Sequence, residues 1–343
     1  MTKTRVQERL RRLLAEAAPV RCGLDDRFVI ISDLHIGNGT RTDEFRPNAS
    51  LVRSVLRSYY LRKGYQLVLN GDIEELHKFS MREVRDRWSE IYEIFDLFAE
   101  RTGFHKIVGN HDCWLMLNGQ RQSLLQALKL HHRNGEILVF HGHQAMRFSD
   151  HVNPAHRFLL RRIAAPLGIN NYSVAYDKRK KYQVEKRIYE FARERRILAV
   201  IGHTHRPLFE SLSRIDSLKF AIEQLCRHYP SVSDHAKRTS VERKIRAYQQ
   251  ELDYTIKLDR KNGSRSSLYY PGPLVPCVFN SGCAIGKRGV TAIEIADGNI
   301  RLVHWFDREK STKFFNFNGY IPEQLDATDY FRVPLKEDSL DYV

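Results

Sequence analysis

Short apolar runs that stop abruptly at ligand-type residues recur along the chain. The first is FVIISDLHIGNG, residues 28–39, where a β-branched-rich run gives way to Asp33, Leu34 and His35. A run of this length and composition predicts a buried strand whose C-terminal end presents an acid and an imidazole. Spaced two apart, Asp33 and His35 would point the same way in an extended chain. Four further runs repeat the pattern: QLVLNGD ending at Asp72, HKIVGNHD ending at Asn110, His111 and Asp112, EILVFHGH ending at His141 and His143, and ILAVIGHTH ending at His203 and His205. Each is a strand emptying into a Gly-containing loop of oxygen and imidazole donors. Together they offer more ligands than one cation can use, which predicts a two-metal site.

Helical spacing fills the intervals. Residues 1–18 form an amphipathic stripe of Val6, Leu10, Leu13, Leu14 and Ala17 among arginines, predicting a terminal helix docked on the domain; contact with an anionic membrane surface stays open. Helices are predicted over 51–60, with Gly64 closing the first, over 81–101 and over 123–130. Strands alternating with helices argue a layered α/β fold with ligands at the strands' C-terminal ends.

Two insertions interrupt this alternation. The first, 144–196, is helical, and its stretch 177–196 holds nine basic residues against four acids, with Val184, Ile188 and Phe191 at helical spacing. It reads equally as a solvated surface or as a lid over substrate. The second, 212–263, carries the stripes Leu212, Ile215, Leu218, Ile222, Leu225 and Val241, Ile245, Tyr248, Leu252, Ile256 around Pro230, which predicts a helical hairpin for self-association or substrate selection. From Leu274 strands return, with a hairpin turn at Asp297, Gly298 and Asn299. The acidic tail from Asp307 is expected to wrap the surface.

Composition narrows the class. A chain of 343 residues can bury one substantial core, and a single domain carrying helical insertions is expected. Its longest apolar runs are only strand length, and its five cysteines are odd in number and widely spaced, which suits free thiols in a reducing cytoplasm. The net charge of +15 predicts attraction to phosphate-bearing partners. A phosphorylated small molecule or nucleotide, nucleic acid and an anionic membrane face all remain open.

In their order, Asp33-Leu34-His35, Gly71-Asp72, Gly109-Asn110-His111-Asp112, the later His141 and Gly202-His203-Thr204-His205 resemble the signature of the calcineurin-like metallophosphoesterases over about half of the chain. The resemblance implies an α/β (α+β) four-layer sandwich, two mixed sheets packed face to face with flanking helices. It also implies that Asp33, His35, Asp72 and His205 hold one divalent cation and that Asp72, Asn110, His141 and His203 hold the other, Asp72 bridging. This donor set suits manganese, iron or zinc better than calcium. Two such cations about 3.5–4 Å apart can share a water, lower its pKa and clamp a phosphoryl group for in-line attack. By the same resemblance His111 stabilises phosphoryl oxygens or protonates the leaving group. Asp112 is expected to orient it. His143 reads as a substrate contact, a support for the site or a structural histidine; Asn38, Arg41 and His77 read as surface or capping residues.

The expected reaction is metal-dependent hydrolysis of a phosphate ester or pyrophosphate. The basic insertion between the HGH and GHTH blocks is similar in layout to that of the UDP-2,3-diacylglucosamine diphosphatases, which cleave a pyrophosphate in lipid A synthesis. Two departures separate the chain from them: His111 stands where they carry Arg, and the 212–263 hairpin is not theirs. A nuclease or cyclic-nucleotide phosphodiesterase would use the same metals with the basic arms on a polyanion. A non-catalytic scaffold is disfavoured by the intact ligand set.

Overall fold

The computed structural model describes residues 3–117, 124–133, 135–146, 178–209, 214–261, 277–315 and 320–340. Strand β2 (Phe28–Ile31) shows how the layers arise. Phe28 and Ile30 face one core with Val68, Val139 and Ile293, while Val29 and Ile31 face another with Leu56, Ile91 and Phe98, so period-2 alternation buries both faces of one strand.

Eight strands form one mixed sheet, in the order β12 (Glu323–Gln324), β13 (Tyr330–Ser339), β11 (Asn299–Asp307), β10 (Val290–Ala296), β2, β3 (Gln66–Asn70), β4 (Phe104–Ile107) and β5 (Leu124–Leu125). Five form the other: β1 (Ala18–Arg21), β6 (Ala127–His132), β7 (Gly135–Phe140), β8 (Leu198–Ile201) and β9 (Val278–Asn280). The first core cluster joins inward residues of both sheets, such as Ile30 and Ile295 with Val139 and Val200, and so packs them face to face. Helices α2 (Ala49–Val55), α3 (Met81–Arg87) and α4 (Ser89–Arg101) cover the larger sheet. Over the smaller sheet, α1 (Lys3–Glu16) packs on β6 and α5 (Lys178–Arg195) on β8 and β9. The result is the expected four-layer sandwich.

β2, β3 and β4 run parallel, as do β7, β8 and β9. Parallel strands deliver their C-terminal ends to one edge, and here those ends carry the ligand loops of both sheets.

Several local expectations are corrected. Residues 124–132 are strands, not a helix: β6 pairs with β1 on one side and β7 on the other. An apolar run this short carries no decisive period, and pairing on both edges settles it. The predicted helix over 81–101 is two helices meeting at Trp88, whose indole N–H donates to Asp43 at 3.0 Å. The helix at 49 runs on as a π-helical turn, Leu56–Leu61, which buries Tyr60 and lets its hydroxyl donate to Glu294 at 2.8 Å. The tail does not merely wrap the surface. Its strand β13 pairs along β11, and Arg332 places Nε at 3.0 Å and Nη2 at 2.6 Å from the buried Glu294 carboxylate.

Val6, Leu10 and Leu13 of α1 are buried in the core, as are Val184, Ile188 and Phe191 of α5. The rest of the first insertion, where a lid would lie, falls at 147–177, outside the described residues. The chain divides into two compact units, Met1–Glu210 with Cys277–Val343, and Ser211–Pro276. Within the second, α6 (Arg214–His228) and α7 (His235–Lys261) pack on each other, Leu218 is buried, and Asp234 caps α7 by accepting from the Lys237 amide at 2.8 Å. Among the described residues no helix is long and apolar enough to cross a membrane.

Candidate metal centre

The ligand loops are built on strained backbone. Asp33 (φ 53°), His35 (48°), Asp72 (52°), His203 (66°) and His205 (53°) all lie in the left-handed region. Each costs roughly 1–2 kcal/mol for an L-residue. Among the described residues only three other non-glycine positions share it, so the strain is concentrated at this edge. The convergence of Asp33 and His35 is therefore not strand alternation, as their spacing had suggested. The strand ends at Ile31, and two left-handed turns aim the side chains.

Backbone hydrogen bonds hold these turns between β2 and β3. Asp33 N donates to Gly71 O at 3.0 Å, His35 N to Asp72 O at 3.0 Å, and Ile36 N to Ile73 O at 2.8 Å. Glycine allows the loops to meet. A Cβ on Gly109 would lie 2.1 Å from Asp72 Oδ1, and one on Gly202 would lie 2.6 Å from Asp33 Oδ2.

Among the described residues three sets of donors could hold a cation: His35, Glu75 and His111 are one, and two further groups lie beside them. Asp33, His35 and His205 form one: His205 Nε2 lies 3.0 Å from Asp33 Oδ1 and 3.2 Å from His35 Nε2. Asp72, His141 and His203 form the other, with His141 Nε2 3.1 Å from Asp72 Oδ2. His141 Nδ1 donates to Asn70 O at 2.9 Å, which turns Nε2 inward. Asn110 Oδ1 is buried without a hydrogen-bond partner. An orphaned amide oxygen and imidazole nitrogens facing carboxylates are what a cation would satisfy, and the donor chemistry fits the metals expected above.

The electrostatics agree. Burial, the largest influence on each of these groups, opposes charge. His141, His111 and His35 nevertheless hold Asp72 well below the usual carboxylate range, and Asp72 with Asp33 raises His141 to about 10. Burial and the neighbouring His141 push His203 down to about 3, leaving a neutral imidazole with a free lone pair.

The expectation for Asp112 is corrected. Its oxygens accept from the backbone amides of Gly109 (2.6 Å) and Ile73 (2.8 Å) and so shape the loop. The group holding His111 is Glu75, whose Oε1 lies 2.8 Å from His111 Nδ1, while Oε2 lies 3.1 Å from His35 Nδ1. Sequence reasoning passed over Glu75; the available signal was an acid three residues after Asp72 on the same loop. It also passed over Asn280 at the end of β9, whose amide donates to Gly202 O (3.0 Å) and Thr204 Oγ1 (2.9 Å), and Glu185 on α5, which accepts from Thr204 Oγ1 at 2.8 Å and pairs with Arg206.

His143 stands beside the second group, 5.5 Å from His141 between ring centroids, and His77 is buried rather than on the surface, its ring tilted 33° against that of His111 with centroids 4.2 Å apart. The Asn38 side chain accepts from Thr40 within its own turn, and Arg41 is exposed. Cys22, Cys226 and Cys283 are free thiols; Cys283, near Asp33, is pushed up to about 12 by burial and that carboxylate, which makes it an unreactive thiol.

A family model for calcineurin-like phosphoesterases matches residues 26–207, just over half of the chain. The chain belongs to the calcineurin-like phosphoesterases. No curated relative matches it. Membership makes the protein a metal-dependent phosphoesterase, and the donor groups at the sheet edge are residues that could hold a divalent cation. The matched region covers every ligand loop and stops before the 212–263 hairpin and Asn280.

Proposed function

We propose that the protein hydrolyses a phosphate ester or pyrophosphate using two divalent cations, manganese being the first to test. Asp33, His35 and His205 would hold one, His141, His203 and Asn110 the other, and Asp72 would serve both. The observation that carries this reading is the pair of abutting donor groups with the unpartnered Asn110 oxygen beside them. When bound, the cations would polarise the phosphoryl group and supply a nucleophile at neutral pH.

The chain's own residues supply the rest. Glu75 takes the His111 Nδ1 proton in a hydrogen bond, so Nε2 faces the site, 3.9 Å from Asp72 Oδ2. Burial opposes a proton there, but Glu75, Asp72 and Asp112 raise His111 to about 9 in the metal-free protein. An imidazolium at that place can bind a phosphoryl oxygen and release a proton to the departing one.

A sugar-nucleotide pyrophosphate is the substrate class to test first. The described end of the basic insertion, α5, is joined to the GHTH loop by Glu185, which brings its cationic stretch to the same loop as His203 and His205. A cytoplasmic location, and partners among polyanions, membrane surfaces or a second copy through the hairpin, belong to the same proposal.

Chelator-stripped protein given manganese should hydrolyse an aryl phosphodiester, an aryl monoester or a sugar nucleotide. Asp72→Asn should remove that turnover and lower bound metal from two per chain. Full activity in this variant would refute the assignment, and preference for nucleic acid with affinity falling steeply in salt would move the substrate to a polyanion.

A further inference from the structure

Lys181 and Arg206 stand beside the metal centre around one buried acid, Glu185. Arg206 directly follows His205, and its loop is fixed two residues on, where Leu208 and Asn280 exchange backbone hydrogen bonds at 3.1 and 2.6 Å. Lys181 lies on α5 one turn before Glu185, and the buried Val184, Ile188 and Phe191 hold that helix against the core. Both Glu185 oxygens are engaged: Oε1 accepts from Thr204 Oγ1 at 2.8 Å and from Arg206 Nε at 3.3 Å, and Oε2 accepts from Arg206 Nη2.

One acid thus serves two basic side chains. Among the described residues Lys181 makes no ion pair, although it is half-buried and within electrostatic reach of Asp33. Burial, the largest influence on it, and the neighbouring Arg206 lower its pKa, and Cys283, Glu185 and Asp33 only partly offset them. Arg206 is oriented by Glu185 through Nε and Nη2, its side chain stays 52% exposed, and among the described residues its Nη1 makes no hydrogen bond. A partly desolvated ammonium beside an oriented guanidinium with a donor to spare is completed by an anion, and phosphate oxygens suit both groups.

We propose that Lys181 and Arg206 bind the second, non-reacting phosphoryl group of a pyrophosphate diester while the reacting one occupies the metal centre. The inference rests on the function proposed above and selects, within it, a pyrophosphate over an ester with a single phosphate. The two phosphoryl groups of a pyrophosphate share one bridging oxygen, so the second must lie directly beside the cations. In a polynucleotide the next phosphate is a whole sugar away. Arg206 meets that demand through its peptide bond to the ligand His205, and Lys181 through its place next to Arg206 and Asp33.

The test is calorimetric binding of two uncleavable probes to manganese-loaded protein. A P,P′-dialkyl methylenebisphosphonate keeps both phosphoryl groups, and a monoalkyl methylphosphonate keeps one. The wild type should bind the first roughly tenfold or more tightly than the second. Lys181→Met, which keeps the apolar stem, and Arg206→Gln should each weaken the bisphosphonate about 10–150-fold, the range of a hydrogen bond to a charged group, and the single phosphonate far less. Lys181→Arg should recover most of that loss. Equal affinity of the wild type for the two probes would overturn the proposal, a result that requires no variant to fold. So would equal weakening of both probes in Lys181→Met, which would give this ammonium to the reacting phosphoryl group or to the fold. Loss of binding to a short single-stranded DNA in Lys181→Met, with the bisphosphonate still bound, would overturn it in favour of a polynucleotide. If the probes behave as expected and no ester is hydrolysed, the functional reading fails while the anion subsite stands. If manganese-dependent turnover is found and the probes bind alike, the subsite fails while the function stands.

Discussion

Gly109→Ala isolates the geometry on which the metal centre depends, because it adds one methyl group and removes no donor. The new Cβ would stand 2.1 Å from Asp72 Oδ1, 2.4 Å from Asp72 N and 2.8 Å from Asp72 Cγ. Ordinary contact begins at about 3.4 Å, so backbone and carboxylate must separate by more than about 1 Å. Neither is a flexible chain end: Asp72 is 2% exposed, left-handed at φ 52°, and its Oδ1 accepts the His111 amide at 2.8 Å. Overpacking of this kind costs about 1–3 kcal/mol. Loss of the hydrogen bond to the carboxylate would add about 1.5–3 kcal/mol. A misplacement near 1 Å is expected to lower the rate by about 10²-fold. The assays are urea unfolding of the metal-free protein, metal content by elemental analysis, and manganese-dependent turnover. Gly135→Ala is the control, since nothing lies within 4 Å of its added Cβ. A Gly109→Ala protein that binds two cations and turns over within threefold of wild type would refute the claim that this glycine exists to admit Asp72.

Other consequences follow from the same geometry. His111→Ala should retain both metals and lose about 10²–10⁴-fold in kcat, the usual contribution of a positioned acid; loss of metal instead would make His111 a ligand. In the metal-free protein burial opposes a proton on His141, but Asp72 and Asp33 raise it to about 10, so at pH 7.5 a cation must displace that proton. Metal binding should therefore release protons, and apparent affinity should rise with pH toward about 10; calorimetry in buffers of different ionisation enthalpy measures this, and no proton release would contradict it. The raised His141 also stabilises the metal-free fold fully below the ordinary imidazole pKa of about 6.5 and progressively less as pH climbs through about 10, so its urea midpoint should fall over that interval. Arg332→Met should destabilise the fold by about 3–5 kcal/mol by stranding the buried Glu294, with metal content unchanged; a denaturation midpoint equal to wild type would show that the pair contributes nothing net.

The sequence by itself determined the ligand types and their order, because each ligand sits where a short apolar strand ends, and both the strand and its Gly-containing exit are local. Asp33, His35, Asp72, His141, His203 and His205 were legible for that reason, as were α1 and the hairpin turn at Asp297. Tertiary structure alone decided which histidines gather beside Asp33 and which beside Asp72, because most of their partners arrive from a different sheet at separations in sequence that no period records. It replaced Asp112 by Glu75 as the group holding His111, since the choice between two nearby carboxylates depends on a loop path: Asp112 turns onto the Gly109 and Ile73 amides, and Glu75 is carried inward by pairing with Ile36. It also made strands of 127–132 and 330–339, whose side chains show no clear alternation, because open edges beside β7 and β11 offered backbone hydrogen bonds that local propensity does not foresee.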